Sequence, residues 1–584
     1  MKQHIENLIQ KALVILQESG ELPAIPAIIQ VDATKDKQHG DFASNVALIM
    51  AKAVQKKPRA IAEIIIKTLP VSPKVQKVEI AGPGFINFFL ATDALNEVVV
   101  DICQNKQQYG RCKIGREKTV LVEFVSSNPT GPLHVGHGRH AAFGAVVANL
   151  LDAVGFKVSR EYYINDAGRQ MDILAASVWL RYLALCGENI VFPANGYRGE
   201  YVIDIAKIVY AKHGDIFRVA AAKLTDSLPL DEPDGGDKEL YIDAVIERAK
   251  LLLGDNYEPI FELTLANIMA DIREDLTEFN VHFDKWFSER ELVATNVVDR
   301  LLEKLKAAGY TYERDGAIWF SSTSFSDNKD RVLVRSNGQR TYFTNDVAYH
   351  LNKYERNFDI VMDILGADHH GYTPRMKSAV EAMGINPERL ITLLVQFVSL
   401  YRDGQQAQMS TRGGDFVTLR ELRKEVGNDV ARFFYVMRKA DQPMDFDLDL
   451  AKSQSNENPV YYIQYAYARI CSVFKQLADR NMTFNEVNGL ANLDRLSEPQ
   501  ERQILNTLSR YPDMIINAAL QYETHLLTHY LRDLAADFHA YYNAHQFLVE
   551  DVAVRDARLT LVTATKQILS NGFGLLGINA PETM

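Results

Sequence analysis

The run His134-Val135-Gly136-His137 places two imidazoles about one helical turn apart with a glycine beside the second. It follows a short apolar run at residues 119–125 (TVLVEFV) and the polar turn Ser126-Ser127-Asn128-Pro129-Thr130-Gly131-Pro132. It opens a long apolar stretch of helical spacing, and a helix N-terminus there offers unpaired N–H groups and a favourable dipole to phosphate. Gly136 has no Cβ, so a nucleotide can come close to the backbone. Two imidazoles on one face can donate hydrogen bonds to phosphate oxygens as charge develops at an α-phosphorus. Out of context, the same pair is a helix cap or a surface pair. A metal pair would lack any accompanying cysteine or carboxylate ligand set.

A second segment is Gln408-Met409-Ser410-Thr411-Arg412-Gly413-Gly414, a polar, glycine-bearing loop with one cation. Its backbone N–H groups, two hydroxyls and Arg412 would suit a pyrophosphate leaving group. Taken alone it is a generic loop. No GxGxxG follows the first strand-like run and no GxxxxGK[ST] occurs, which disfavours dinucleotide-binding and P-loop chemistry.

These residues need a scaffold. Residues 119–125 read as a strand buried on both faces. A helix runs from about residue 133 to 154 and stops at Gly155. Residues 156–164 read as a second strand, and a second helix begins near Asp166, the start of a doubly wound parallel sheet. Strand signals return at 360–365, before Gly366, and at 390–398. The expected fold class is α/β, with a Rossmann-like doubly wound parallel-sheet domain over residues 111–400. Insertions fall around 195–330 and include an acidic, Pro/Gly-rich loop at 226–239. A small N-terminal α/β domain spans 1–110, with Gly82-Pro83-Gly84 as a turn before an aromatic strand. A connecting region carrying the Gln408 loop spans 401–455, and an all-α helix bundle spans 456–584.

At ~150 residues per domain, 584 residues suggest three or four domains. A formal net charge of −11 argues against non-specific coating of nucleic acid, while leaving room for a local basic groove. Cys103, Cys112, Cys186 and Cys471 form no CxxC pair, which speaks against structural zinc and a disulfide framework and for reduced thiols. No apolar run approaches the ~20 residues that span a bilayer. The first twenty residues, with Glu6 early, read as an amphipathic helix rather than a signal peptide.

The two segments stand about 270 residues apart and resemble the HIGH and KMSKS signatures of class I aminoacyl-tRNA synthetases. Along essentially the whole chain, the resemblance narrows to the arginyl-tRNA synthetases. VEFVSSNPTGPLHVGHGRHAAFG (122–144), REYYINDAGRQ (160–170), RVLVRSNGQRTYFTNDVAYH (331–350), LGADHHGY (365–372) and QMSTRGGDFVTL (408–419) are similar to that family's catalytic domain. NPVYYIQYAYARI (458–470), Asp556-Ala557-Arg558-Leu559 and the terminal LLGINAPETM resemble its anticodon-binding domain. GDFASNVA (40–47) and AGPGFINFFL (81–90) resemble its N-terminal module for the tRNA elbow.

The resemblance implies ATP-dependent activation of L-arginine to an adenylate and its transfer to the 3′-terminal ribose of tRNA(Arg). The implied partners are tRNA(Arg), ATP and L-arginine, with Mg²⁺ bridging the phosphates of ATP. The implied setting is a cytoplasmic monomer without membrane contact, in which activation waits for bound tRNA. Glu123 and Asp346 would face the guanidinium, a planar fork of fixed charge. Tyr342 would cap or stack on it. Ser126, Asn128 and Asp368 or His369 would hold the α-amino and carboxylate groups. His134, Gly136 and His137 would bind ATP, with Gly366 admitting adenine. Met409, Ser410, Thr411 and Arg412 would hold its phosphates.

The family's signature lysine is Gln408 here, and the place three before His134, where some members carry a lysine instead, is Gly131. Arg412, Arg139 and Arg402 are the replacement cations to consider. For tRNA, residues 457–584 hold 10 Lys and Arg against 14 Asp and Glu, so shape and a few placed groups must bind it. Among Tyr461, Tyr462, Tyr465 and Tyr467 some belong to the core. Tyr461 and Tyr465, with Arg469, are the candidates for stacking on unpaired bases.

Other readings are another class I synthetase, a nucleotidyltransferase sharing HxGH, or a non-catalytic tRNA-binding paralogue. A cysteine-specific enzyme would want thiolate-bound zinc, and a glutamate-specific one would want arginine in place of Glu123 and Asp346. A nucleotidyltransferase would not need the long helical C-terminus. Retention of both histidines and both carboxylates argues against a non-catalytic paralogue.

Overall fold

The computed structural model describes the chain except residues 23–25, 27–28, 35–36, 326 and 407–415. The N-terminal module is a four-stranded antiparallel sheet in the order Val31–Ala33, Phe42–Ser44, Phe85–Leu90, Val75–Ala81. Helices Lys2–Glu18, Val46–Val54 and Pro58–Thr68 pack with it, and Ile86 and Phe88 are fully buried beneath them. This sheet ends at Leu90, short of residue 110. The next helix, Thr92–Asn105, packs chiefly on Pro499–Ser509 and Val552–Leu576 of the C-terminal bundle.

The central domain is a five-stranded parallel sheet. Its strands are β1 (Thr119–Glu123), β2 (Lys157–Ile164), β3 (Lys285–Ser288), β4 (Ile360–Gly366) and β5 (Leu390–Val395), in the spatial order β5-β4-β1-β2-β3. Four helices matter for the site: α1 (Val135–Ala153), α2 (Arg169–Leu185), α3 (Tyr342–Glu355) and α4 (Tyr372–Ala382). Val120, Val122 and Phe124 belong to one core with α1, whereas Leu121 belongs to a second core with α3 and α4. Helices therefore cover both faces of β1, which is why its sequence is continuously apolar. The strand order reverses between β1 and β4, and in such sheets ligands bind in that crevice at the carboxyl ends of the strands.

Between α2 and β3 the insertion is mainly helical: Glu200–His213, Lys238–Leu253 and Tyr257–Glu278. The expected loop at 226–239 stops early, because Asp237 caps the helix from Lys238 by accepting from Glu239 N at 2.8 Å. A three-stranded antiparallel sheet, Thr311–Arg314, Ala317–Phe320 and Arg331–Val334, precedes α3. The run at 390–398 is two strands rather than one. Gln396 leaves the sheet to donate its N–H to Ala440 O at 2.8 Å, and the chain resumes as Val398–Arg402, parallel to Met444–Asp447. Both halves are apolar, so nothing in the periodicity marks the break.

The C-terminal region is helical as expected. Its first long helix, Pro459–Asp479, starts at Asn458, whose side chain accepts from Val460 N and Tyr461 N. Among the described residues, no helix is long and apolar enough to cross a membrane.

Candidate active site

The two histidines cap the helix that carries them. His134 Nδ1 accepts from Gly136 N at 3.0 Å and His137 N at 3.4 Å, and His137 Nδ1 accepts from His134 N at 3.3 Å. This is a reciprocal capping box built from imidazoles, with the rings stacked 3.6 Å apart. Burial lowers the pKa of both rings; for His137, the neighbouring His134 and His140 lower it further. A neutral ring whose Nδ1 accepts carries its proton on Nε2. The cap therefore selects the tautomer that presents an N–H donor from each ring. The helix-cap reading and the phosphate-donor reading turn out to be compatible, since they use opposite ring nitrogens. A Cβ on Gly136 would lie 2.9 Å from the His134 ring, so the missing side chain also makes room for the cap. Likewise, a Cβ on Gly366 would meet Asp368 Oδ1 at 2.5 Å.

A row of carboxylates crosses the sheet beside this turn. Asp363 on β4, Glu123 on β1 and Glu161 on β2 are register partners, so all three side chains rise from the same face. Helix α3 lays its basic groups over that face. Lys353 Nζ, fully buried, reaches Glu123 Oε2 at 2.5 Å and Asp363 Oδ1 at 2.7 Å. Arg356 grips Glu161 through both oxygens, and Tyr349 donates to the same carboxylate at 2.6 Å. His350 Nε2 meets Asp363 Oδ2 at 2.7 Å, while its Nδ1 faces Asp346 O at 2.8 Å. Against the effect of burial, Lys353 and His350 hold Asp363 well below the usual carboxylate range.

Two further carboxylates lack such cations. Glu289, just past β3 and 6% exposed, accepts from Asn345 Nδ2 at 2.9 Å. Asp346, one turn after Tyr342 on α3, shows no hydrogen bond or ion pair from its carboxylate among the described residues. Burial, reinforced by Glu123 and Glu289, pushes Asp346 up to about 7 despite His350 and Lys353. Burial likewise raises Glu289. Repelling carboxylates in a crevice, one of them unpaired, form a cation site. Glu289 was missed in the sequence, because the run FSEREL around it reads as an ordinary start of a charged surface helix.

The remaining expected residues divide. Tyr342 is 65% exposed at the mouth of the crevice, and Asp368 and His369 are exposed beyond β4. Ser126 faces inward, but its hydroxyl is occupied: it donates to Glu123 Oε1 at 2.9 Å and accepts from Tyr163 N at 3.1 Å. Asn128 is held by Asn165 and Gln170. Gln408, Met409, Ser410, Thr411 and Arg412 lie outside the described residues. The segment that follows them is pinned to the histidine turn: Val135 N donates to Val417 O at 3.2 Å and Leu419 N to Leu133 O at 2.8 Å.

Neither replacement cation nearby is free. Arg402 pairs with both oxygens of Glu425. Arg139 is 1% exposed and donates to the carbonyls of Gln396, Gln442 and Lys439 at 2.8–2.9 Å. Arg139→Met would remove the buried guanidinium that donates to three part-buried carbonyls, each such bond to a charged group being worth about 1.5–3 kcal/mol. It is expected to lower the melting temperature sharply; a variant of unchanged stability with a raised KM for ATP would instead make Arg139 a phosphate ligand.

On the C-terminal bundle, Tyr461 and Tyr465 stack at 5.9 Å, and the Arg469 guanidinium lies 4.4 Å from the centre of the Tyr465 ring. All three are partly exposed, whereas Tyr467 is buried against Phe573. The tyrosine series thus splits into a surface ladder and core.

Three family models match the chain: "Arginyl tRNA synthetase N terminal domain" over residues 2–90, "tRNA synthetases class I (R), catalytic domain" over 98–183 and 244–444, and "DALR anticodon binding domain" over 463–584. The chain is 58% identical to an arginine–tRNA ligase of Thioalkalivibrio sulfidiphilus and 54% identical to one of Hydrogenovibrio crunogenus, each alignment covering 100% of both proteins. Its fold matches Thermus thermophilus arginyl-tRNA synthetase with a TM-score of 0.75 at 23% identity, covering 100% of both chains.

Proposed function

This chain belongs to the arginyl-tRNA synthetase family, and from that premise we propose how its residues carry the family's reaction. The enzyme is an arginine–tRNA ligase: it consumes ATP to join arginine to tRNA(Arg). The observation that carries the site assignment is the unpaired Asp346 carboxylate beside Glu289 and Glu123 at the β1/β4 crevice. A guanidinium is the cation whose fork matches more than one carboxylate. Asp346 and Glu289 take its charge, Glu123 borders it, and Tyr342 closes over it from the exposed side. Ser126 acts through Glu123, while Asn128, Asp368 and His369 line the side for the α-amino and carboxylate groups.

Arginine's own carboxylate oxygen attacks the α-phosphorus of ATP, and pyrophosphate leaves. A terminal ribose hydroxyl of tRNA then attacks the carbonyl of the adenylate, and AMP leaves. No protein nucleophile is needed. The Nε2–H groups of His134 and His137 meet the charge that develops on the phosphate oxygens. Met409, Ser410, Thr411 and Arg412 supply the pyrophosphate side. Among the described residues, no group of three or more His, Cys, Asp or Glu could hold a metal ion. That suits Mg²⁺ carried on the phosphates of ATP, where it neutralises their charge. The Tyr461–Tyr465–Arg469 ladder offers stacking faces to anticodon bases. Every group in this scheme comes from one chain, so a monomer suffices. The four free cysteines and the tRNA substrate suit the cytoplasm.

Arginine-dependent ATP–pyrophosphate exchange, run with and without tRNA across all twenty amino acids, tests this reading. Exchange is expected with arginine alone and only when tRNA is present. Exchange with a different amino acid would overturn the site assignment, and full exchange without tRNA would overturn the tRNA requirement.

A further inference from the structure

We propose that Lys353 is the positioning residue of the arginine site: it ties Glu123 to helix α3 and cancels its charge, leaving Asp346 and Glu289 to meet the guanidinium. The inference rests on the site assignment above and adds to it a residue that touches no reacting group.

Three observations support it. Lys353 is 0% exposed, so it is unavailable to substrate, yet it bridges β1 and β4 at the point where the strand order reverses. It lies seven residues, two helical turns, beyond Asp346 on the same helix. Of the ties between α3 and the carboxylate row, the Lys353 ammonium is the one that reaches Glu123 itself. The Glu123 carboxylate is also fully spoken for: Ser126 holds one oxygen and Lys353 the other, and Tyr163 N fixes the Ser126 hydroxyl as a donor to it.

The distribution of cations points the same way. Lys353 and Arg356 pair with Glu123, Glu161 and Asp363, whereas among the described residues neither Asp346 nor Glu289 has a Lys or Arg partner. The groups that face Asp346 are Glu123 from β1, Tyr163 from β2, Glu289 after β3, His350 and Lys353 from its own helix, and Tyr372 from α4. His350 and Lys353 both belong to this set and to the row, but only Lys353 reaches Glu123, so its removal leaves Glu123 as an added repelling charge beside Asp346.

The test is arginine kinetics as a function of pH, measured by tRNA-dependent pyrophosphate exchange on Lys353→Met, Lys353→Arg and Lys353→Met/Asp363→Asn. The double variant removes both members of the buried pair, so that a folded protein is available if the single one is unstable. In the methionine variants, the KM for arginine is expected to rise about thirtyfold. The KM for ATP should stay within about twofold, and the acid limb of kcat/KM for arginine should move up by about one pH unit. Lys353→Arg, which keeps the charge, should return the limb towards its original position. A folded double variant with unchanged arginine KM and unchanged acid limb overturns the proposal, and so does a uniform loss towards ATP, tRNA and arginine alike. Asp346→Asn run in parallel separates the two claims. If it too leaves the arginine KM unchanged, the site assignment has failed; if it raises that KM while the Lys353 variants do not, only the positioning role has failed.

Discussion

Replacing Asp346 by asparagine is expected to reduce kcat/KM for arginine by about a thousandfold while leaving the KM for ATP within about threefold. A buried charge-assisted pair that loses one partner forfeits about 2–5 kcal/mol, and a factor of a thousand corresponds to about 4 kcal/mol. The pH dependence makes the prediction specific. In the free enzyme Asp346 titrates at about 7, because burial and the neighbouring carboxylates disfavour its charge. The guanidinium needs the ionised form, so arginine binding releases a proton below that value. Wild-type kcat/KM for arginine should fall about tenfold per pH unit below 7. In Asp346→Asn that limb should vanish.

Stability should move the other way. The folded pKa of Asp346 lies above its unfolded one, so between pH 4 and 7 this carboxyl is more protonated in the folded arginine-free protein than in the unfolded chain. Its contribution to stability therefore falls as pH rises through that window. Asparagine removes this penalty, and the variant should melt at a higher temperature than wild type at pH 8. A melting temperature lowered at pH 8, or an acid limb that survives the substitution, would show that Asp346 is not the titrating group.

The second large effect is expected at the histidine turn, where two roles can be taken apart. Asparagine is a strong helix N-cap, but it is too short to put a donor where Nε2–H stands. His134→Asn should keep the melting temperature of wild type and lose about 10²–10³ in kcat, the usual loss for one donor to developing charge. His134→Ala should lose the cap as well, at about 1 kcal/mol of additional stability. Measuring kcat and melting temperature on both variants separates the roles. Equal kcat in His134→Asn and wild type would reduce the residue to a cap.

Much of this was open to a reader of the sequence alone. The parallel sheet, its insertions and the terminal bundle follow from the periodicity, and the resemblance singled out Glu123, Asp346, His134 and His137. Other features depend on what the chain meets in space. Nothing local distinguishes Lys353 or Glu289 from the surface charges around them, since Glu123 and Asn345, which they meet, lie 230 and 56 residues away along the chain. Arg139 looks like a ligand-binding residue for the same reason: three distant carbonyls occupy it first. The break at Gln396 is silent because two strands in succession keep one hydrophobic pattern.

Arg139 also fixes an order of events during synthesis. It sits in the first helix of the catalytic sheet, yet its three acceptors lie 257, 300 and 303 residues further along the chain. At about 5–20 residues per second, roughly ten seconds to a minute separates the emergence of the guanidinium from that of the carbonyls that satisfy it. During that interval the catalytic helix carries an unpaired cation and the β1 surface lacks β4 and β5. The active-site signature is thus out of the ribosome before the strands that flank β1 on one side, and Gln396, Lys439 and Gln442 are the residues whose arrival satisfies its buried guanidinium.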